Sequence, residues 1–193
     1  MFLSKLLLLI FIFVILFSGS YYKLNLLQIA LLDFLAFILV LVGSFGRLWS
    51  SIYIEGKKTS FLVIEGPYSI TRNPLYIFSF VMLIGYAVAL KSIAVAVFFL
   101  FVYIFLYAPT ILNEEKKLKE IHGDEFEKYF SNTPRFFPRI GFPISSTSTL
   151  TTNRKNVERV LVEVMGFIFF YALIKLIEAI KVSGAINPHF ILY

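Results

Sequence analysis

The sequence contains no cysteine and only two histidines, His122 and His189. It can therefore form no disulfide, offer no thiolate nucleophile, and build neither a Cys-ligated nor a His-rich metal centre. Charge is scarce as well. Only 16% of residues are Asp, Glu, Lys or Arg, against about 25% in a soluble domain. In its place, 59% of the 193 residues are hydrophobic and 18% aromatic, with 23 Phe and 11 Tyr, and the mean hydropathy is +0.82. This balance excludes a disordered chain, a disulfide-stapled scaffold and an ordinary soluble globule. It implies an integral membrane protein of one domain, with room for an appendage. The net charge of +6 reads as a signal of topology rather than of nucleic-acid binding.

Apolar runs set the expected architecture. Phe2 to Phe17 predicts a first membrane helix; Lys5 and the Ser18-Gly19-Ser20 that follows also suit a cleavable signal peptide. Leu24 to Trp49 predicts a second, long enough to cross about 30 Å of hydrocarbon. Gly43 and Gly46 near its end permit close backbone approach. Leu75 to Leu90 and Ile93 to Leu112 predict an antiparallel pair, because only Lys91 and Ser92 separate them. Asn113 to Phe130 is charged, with Leu118, Ile121, Phe126, Tyr129 and Phe130 near helical spacing. It predicts an amphipathic helix with a break at Gly123. Val157 to Val182 is a fifth apolar segment, interrupted by Glu163, Lys175, Glu178 and Lys181, that can span or lie in the interface. The fold class expected is all-α: a multi-pass membrane bundle of about five helices with one amphipathic helix. The expected domain layout is a membrane unit over 1–140, a Ser/Thr-rich linker over 141–156 and a C-terminal helix over 157–193.

Lysine and arginine orient this bundle. The loops around 47–73 and 113–159, with Lys5, carry 14 basic residues, whereas Lys23, Lys91 and Lys181 are the 3 on the other side. The excess predicts that both long loops face the cytoplasm. Two polar stretches then meet at one membrane face. In Thr71-Arg72-Asn73-Pro74-Leu75-Tyr76, Pro74 suits the first helical position and Asn73 the N-cap, where its side chain would accept from a free N–H. A helix start beside Arg72 also favours anions. Glu114 and Glu115 repel one another and favour a cationic partner. A plain solvated helix end, with Glu114–Lys117 and Glu115–Lys119 pairs, is the alternative. Asp33, about nine residues into the second helix, is an intramembrane carboxylate. It would line a substrate cavity or bond Asn25, Gln28 or another helix.

The order of these elements carries a resemblance. Glu65-Gly66-Pro67-Tyr68, Thr71-Arg72-Asn73-Pro74-Leu75-Tyr76, an apolar hairpin, Glu114-Glu115, Gly123-Asp124-Glu125-Phe126 with Tyr129, and Pro134-Arg135-Phe136 with Pro138 follow one another over about Leu41 to Gly141. The set resembles the isoprenylcysteine carboxyl methyltransferase and phospholipid methyltransferase superfamily of integral membrane methyltransferases. The resemblance implies S-adenosylmethionine as cofactor and a lipophilic or lipid acceptor reached from the bilayer. It implies a cofactor pocket of Arg72, Asn73, Pro74, Tyr76, Glu114 and Glu115, with Val63 to Gly66 on the adenosine side, Tyr68 adding an aromatic face and Arg135 closing over the site. Arg72 and Arg135 are the candidate catalytic residues.

The sequence departs from the family at two places. Asn73 stands where many members have His and cannot act as a base. Thr110 to Asn113 also lacks the Arg that some members place before the Glu pair, so an acceptor-anion role would pass to Arg72 or Arg135. An acceptor that is already anionic or easily ionised, a carboxylate or thiol, is therefore expected over a protonated amine. Phospholipid N-methylation, a nicotinamide-dependent reductase of the sterol-reductase type and a non-catalytic membrane adaptor are the alternatives.

Overall fold

The computed structural model describes residues 18–19, 24–54, 61–137, 154–185 and 190–191. Apart from a two-residue parallel pairing of β1 (Ser18–Gly19) with β2 (Phe190–Ile191), the fold is helical. It comprises α1 (Leu26–Ile54), the single turn α2 (Pro67–Ile70), α3 (Pro74–Ala89), α4 (Ile93–Asn132) and α5 (Arg154–Val182). Among the described residues, α1, α4 and α5 are long and apolar enough to cross a membrane, and α3 is a shorter apolar helix. The expected helix over Phe2–Phe17 lies outside the described residues, as does most of the expected 141–156 linker.

The boundaries differ from expectation in an instructive way. The fourth apolar run does not end at Leu112. It continues through the charged stretch as one helix, with Pro109 inside it, as far as Gly123, where φ is 48° and ψ −122°. Backbone hydrogen bonding is indifferent to whether the outer side chains meet lipid or water, so a change of composition alone ends no helix. A left-handed glycine does. The amphipathic segment is thus the end of α4.

The core lies where α1, α3 and α5 meet, built on Ala36, Val40, Met82, Tyr86, Ile174 and Ile177. In α1 and α3 small residues let the backbones approach. A Cβ on Gly43 would fall 2.7 Å from the Phe78 carbonyl oxygen, and one on Gly46 would fall 2.1 Å from the Phe78 ring. Without water to drive helix association, such close van der Waals contact supplies the attraction. The outer face of α4 is unburied and apolar at Val97, Phe98, Phe101, Ile104 and Phe105, as a lipid-facing surface must be.

At the end of the bundle where α3 turns into α4, four charges form a closed ring. The Lys91 ammonium lies 2.8 Å from Asp33 and 2.6 Å from Glu178; Lys175 lies 2.6 Å from Asp33 and also contacts Glu178. Two cations and two carboxylates sum to zero, which is how such groups are tolerated in hydrocarbon. Tyr171 donates to the backbone carbonyl of Asp33 at 2.9 Å. Asp33 therefore bonds the α3–α4 turn and α5, and it does not line the cavity described next.

Candidate functional site

At the opposite end of α3 the backbone is held by a tight path. Gly66 has φ 59°, and a Cβ there would sit 2.4 Å from the Tyr53 ring. Only glycine fits this turn, which delivers Pro67 to α2 and then Asn73 and Pro74 to the start of α3. The Thr71–Asn73 segment docks on the chain leaving α4. The Arg72 N–H donates to the Pro134 carbonyl at 2.9 Å, and the Thr71 hydroxyl to the Arg135 carbonyl at 2.9 Å. The sequence elements Thr-Arg-Asn-Pro and Pro-Arg-Phe are thereby joined directly.

Pro74 occupies the first helical position, as expected, but Asn73 does not cap with its side chain. Its amide donates instead to Glu115 Oε1 at 3.1 Å and to the Arg135 carbonyl at 3.4 Å. The buried carboxylate is a strong acceptor for the amide, while the Tyr76 and Ile77 N–H groups bond the Asn73 backbone carbonyl at 3.2 Å. Glu115 is the hub. Arg135 binds it in a bidentate fork at 3.2 and 2.7 Å, and Arg72 Nε lies 3.6 Å away. The Glu115–Lys119 pairing does not form; Lys119 pairs with Glu127 at 2.9 Å. The Arg72 guanidinium also stacks 3.8 Å over the Phe130 ring. Burial pulls its pKa down from the usual guanidinium value, and Glu115 opposes the shift.

The two adjacent carboxylates thus part company. Glu115 turns inward and is saturated by cations. Glu114 is exposed, with the Tyr76 hydroxyl donating to it at 2.9 Å. Tyr76 packs on Tyr107 with ring centroids 5.3 Å apart, and Tyr103 donates to the Tyr76 carbonyl at 3.1 Å. Tyr129 donates to the Tyr68 carbonyl at 2.8 Å, while the buried Tyr68 hydroxyl has no hydrogen-bond partner. Burial pushes the Tyr68 phenol well above its usual range, so it remains a neutral donor.

These groups surround a cavity of about 700 Å³, within the usual range for ligand pockets. Val63, Tyr68, Arg72, Asn73, Pro74, Tyr76, Glu114 and Glu115 all line it. Gly66 and Arg135 do not; Gly66 shapes the turn and Arg135 grips Glu115 from outside. Four charged lining residues were not singled out as site residues by sequence reasoning: Arg47 on α1, Lys117 on α4, and Arg159 and Glu163 on α5. Arg47 reads in sequence as the positive end of a membrane helix. Arg159 and Glu163 lie beyond the stretch that carries the family resemblance. His122 is absent from the lining, and its Nε2 is buried without a partner. Among the described residues no group of three or more His, Cys, Asp or Glu side chains is arranged to hold a metal ion.

Helices long and apolar enough to cross a membrane, with a polar and aromatic cavity at one end of the bundle, define a small polytopic membrane protein. Residues 26–125 match the phospholipid methyltransferase family, and the chain belongs to that family, within the superfamily that also holds the isoprenylcysteine carboxyl methyltransferases. Two curated relatives have a different kind of name. The nickel-cobalt-cadmium resistance protein NccN of Alcaligenes xylosoxydans xylosoxydans is 32% identical over 139 residues, which is 72% of this chain and 64% of that protein. The cobalt-zinc-cadmium resistance protein CzcN of Cupriavidus metallidurans is 29% identical over 148 residues, 77% of this chain and 68% of that protein. The chain thus spans about two thirds of the length of each. No solved structure matches.

Proposed function

We propose that this protein transfers a methyl group from S-adenosylmethionine to a lipophilic acceptor, at a carboxylate or thiol, with the site facing the cytoplasm. The methyltransferase unit is 1–140, and the C-terminal helix closes one wall of its cavity. The observation that carries the proposal is the convergence of the motif residues on one cavity that still offers unsatisfied polar groups. S-adenosylmethionine, when bound, supplies an electrophilic methyl group on a sulfonium. The lining fits such a molecule. The unpartnered Tyr68 hydroxyl is a donor for a carboxylate or a ribose hydroxyl, and Arg72 is the cation nearest the start of α3. Glu114 and Glu163 are exposed carboxylates for an ammonium and a sulfonium. Tyr68, Tyr76, Tyr107 and Phe126 offer aromatic faces for an adenine.

Glu115 serves differently in this reading. Its lone pairs are filled by Arg135 and Asn73, so it fixes the floor rather than contacting the ammonium. That leaves Glu114 as the ammonium-binding member of the pair. No histidine among the described residues lines the cavity, which favours an acceptor that is already ionised, as a carboxylate or a thiolate. Such an acceptor would need only to be held in line with the methyl group of the bound donor, and alignment of this kind supplies most of the acceleration. The names of the relatives suggest a setting for this chemistry. Methylation of a carboxylate or thiol removes a ligand for a divalent cation, so the reaction would alter how a membrane surface meets such ions.

Detergent-purified protein supplied with methyl-labelled S-adenosylmethionine and a bacterial lipid extract tests the proposal, with products assigned by mass spectrometry. Methyl esters or thioethers are the expected products. N-methylated phospholipid as the main product would move the acceptor to an amine, with Glu114 or Glu163 as base. Binding of NADPH instead would mean a reductase, and absence of binding to either cofactor would mean an adaptor.

A further inference from the structure

We propose that Arg47 binds the anionic group of an amphiphilic ligand at the membrane-side wall of the cavity. The inference rests on the methyltransferase reading for its context and names the acceptor class as a lipophilic anion. Arg47 lies 21 residues after the first residue of α1. That is about 32 Å by helix rise, roughly one hydrocarbon thickness. The guanidinium therefore sits at headgroup level, where the cavity meets the apolar bundle.

Its surroundings hold it without neutralising it. One nitrogen, Nη1, donates to the Ser79 hydroxyl, which itself donates to the Leu75 carbonyl at 2.7 Å. The guanidinium carbon lies 5.3 Å from the centroid of the Phe167 ring on α5. The fork is thus fixed between α3 and α5. Yet its buried Nε has no hydrogen-bond partner, and among the described residues no carboxylate forms an ion pair with Arg47. The contrast within the same molecule is sharp. Asp33, Lys91, Lys175 and Glu178 balance one another, and Arg72 and Arg135 share Glu115. The other lining cations, Lys117 and Arg159, are exposed to solvent. A rigid, half-buried and uncompensated guanidinium at the bilayer boundary costs free energy unless an anion completes it. Its planar fork suits a carboxylate or a phosphate. The cavity beside it provides the room, and the apolar bundle beneath provides the place for a hydrocarbon tail.

This placement also answers a departure in the sequence. The expected acceptor-binding arginines, Arg72 and Arg135, are both engaged by Glu115, which leaves Arg47 as the cation available to an acceptor.

Calorimetric titration of detergent-purified protein with octanoate, octyl phosphate, octylamine and octanol tests the proposal. The expected result is that at least one of the two anions binds tenfold or more tighter than octylamine and octanol. Octanoate alone would identify a carboxylate acceptor, and octyl phosphate alone a phosphate-bearing one. Arg47→Gln should lose that preference by tenfold or more while keeping its melting temperature, and Arg47→Lys should recover part of it. Equal affinity of unaltered protein and Arg47→Gln for both anions overturns the proposal, as does equal binding of all four amphiphiles. Should Arg47→Gln fail to fold, Arg47→Lys carries the test: undiminished affinity for both anions then overturns it. S-adenosylmethionine binding, measured on the same samples, separates the two readings. Its absence with anion preference intact removes the methyltransferase and leaves Arg47 as the anion site.

Discussion

Arg135 holds Glu115 through two hydrogen bonds, Nε to Oε1 at 3.2 Å and Nη2 to Oε2 at 2.7 Å. The fork ties the chain beyond α4 to the buried member of the Glu pair. Because Asn73 and Arg72 address the same carboxylate, a single side chain organises the floor of the cavity.

Glu115→Ala should therefore destabilise the protein rather than merely weaken ligand binding. It leaves two guanidinium groups without their carboxylate and takes one of two acceptors from the Asn73 amide, and breaking a buried pair this way costs about 3–5 kcal/mol. Thermal unfolding in detergent measures it. An unchanged melting temperature would remove Glu115 from its role as hub.

Glu114→Gln should behave in the opposite way. The side chain is exposed, so stability should shift by no more than about 0.5 kcal/mol. Affinity for S-adenosylmethionine should fall by about 1.5–3 kcal/mol, the worth of a hydrogen bond to a charged group. Tyr76→Phe, which frees the Glu114 carboxylate from its donor, should have a smaller effect. Equilibrium binding of labelled cofactor reads both, and unchanged affinity in Glu114→Gln would refute its assignment to the ammonium.

The contact between α1 and α3 predicts strict size limits. Gly46→Ala places a methyl 2.1 Å from the Phe78 ring, and overpacking of this kind costs about 1–3 kcal/mol. Pairing it with Phe78→Leu should restore part of the loss. A melting temperature for Gly46→Ala equal to that of the unaltered protein would contradict the close packing.

The four-charge ring predicts that balance matters more than any one charge. Asp33→Asn leaves two lysines facing Glu178 alone and should cost about 1–3 kcal/mol, less than a fully buried pair because the groups are part-exposed. Combining it with Lys175→Met restores neutrality and should recover most of the stability. Cofactor affinity should not move in either variant, since α3 separates ring and cavity by about 24 Å of helix. A double variant weaker than Asp33→Asn alone would contradict the argument.

Topology can be read directly, because the chain has no cysteine of its own. Phe137 is 88% exposed beyond α4 and Ile93 is 65% exposed at the α3–α4 turn. Phe137→Cys should react with a membrane-impermeant maleimide from the cytoplasmic side and Ile93→Cys from the other. Ser92 is unsuitable, since its hydroxyl caps α4 by accepting from the Val95 N–H at 3.1 Å. Reaction of Ile93→Cys from the cytoplasm would invert the proposed orientation.

Much of this protein was settled along the chain itself. Run lengths of apolar residues located the membrane helices, because burying a helix in hydrocarbon depends on consecutive side chains. Pro74 marked the start of α3 and Gly123 the end of the straight part of α4, because both act through their own backbone. The order of the short motifs marked the cavity, and most of the residues they nominated line it. Partnership was decided only by the tertiary structure. The pattern of charges on α4 suggested Lys119 for Glu115, and the local rule for Asn73 suggested a helix cap. The first was overridden by Arg135, 20 residues from Glu115, and the second by Glu115 itself, 42 residues from Asn73; both meet through the docking of the Thr71–Asn73 segment. Helix α5 likewise brings Arg159, Val160 and Glu163 to the cavity from beyond the stretch that carries the motifs. The physical reason is the same throughout. Helix formation and membrane insertion are governed by neighbours in sequence, whereas a charge buried in low dielectric takes whichever partner the packed backbone brings within 3 or 4 Å.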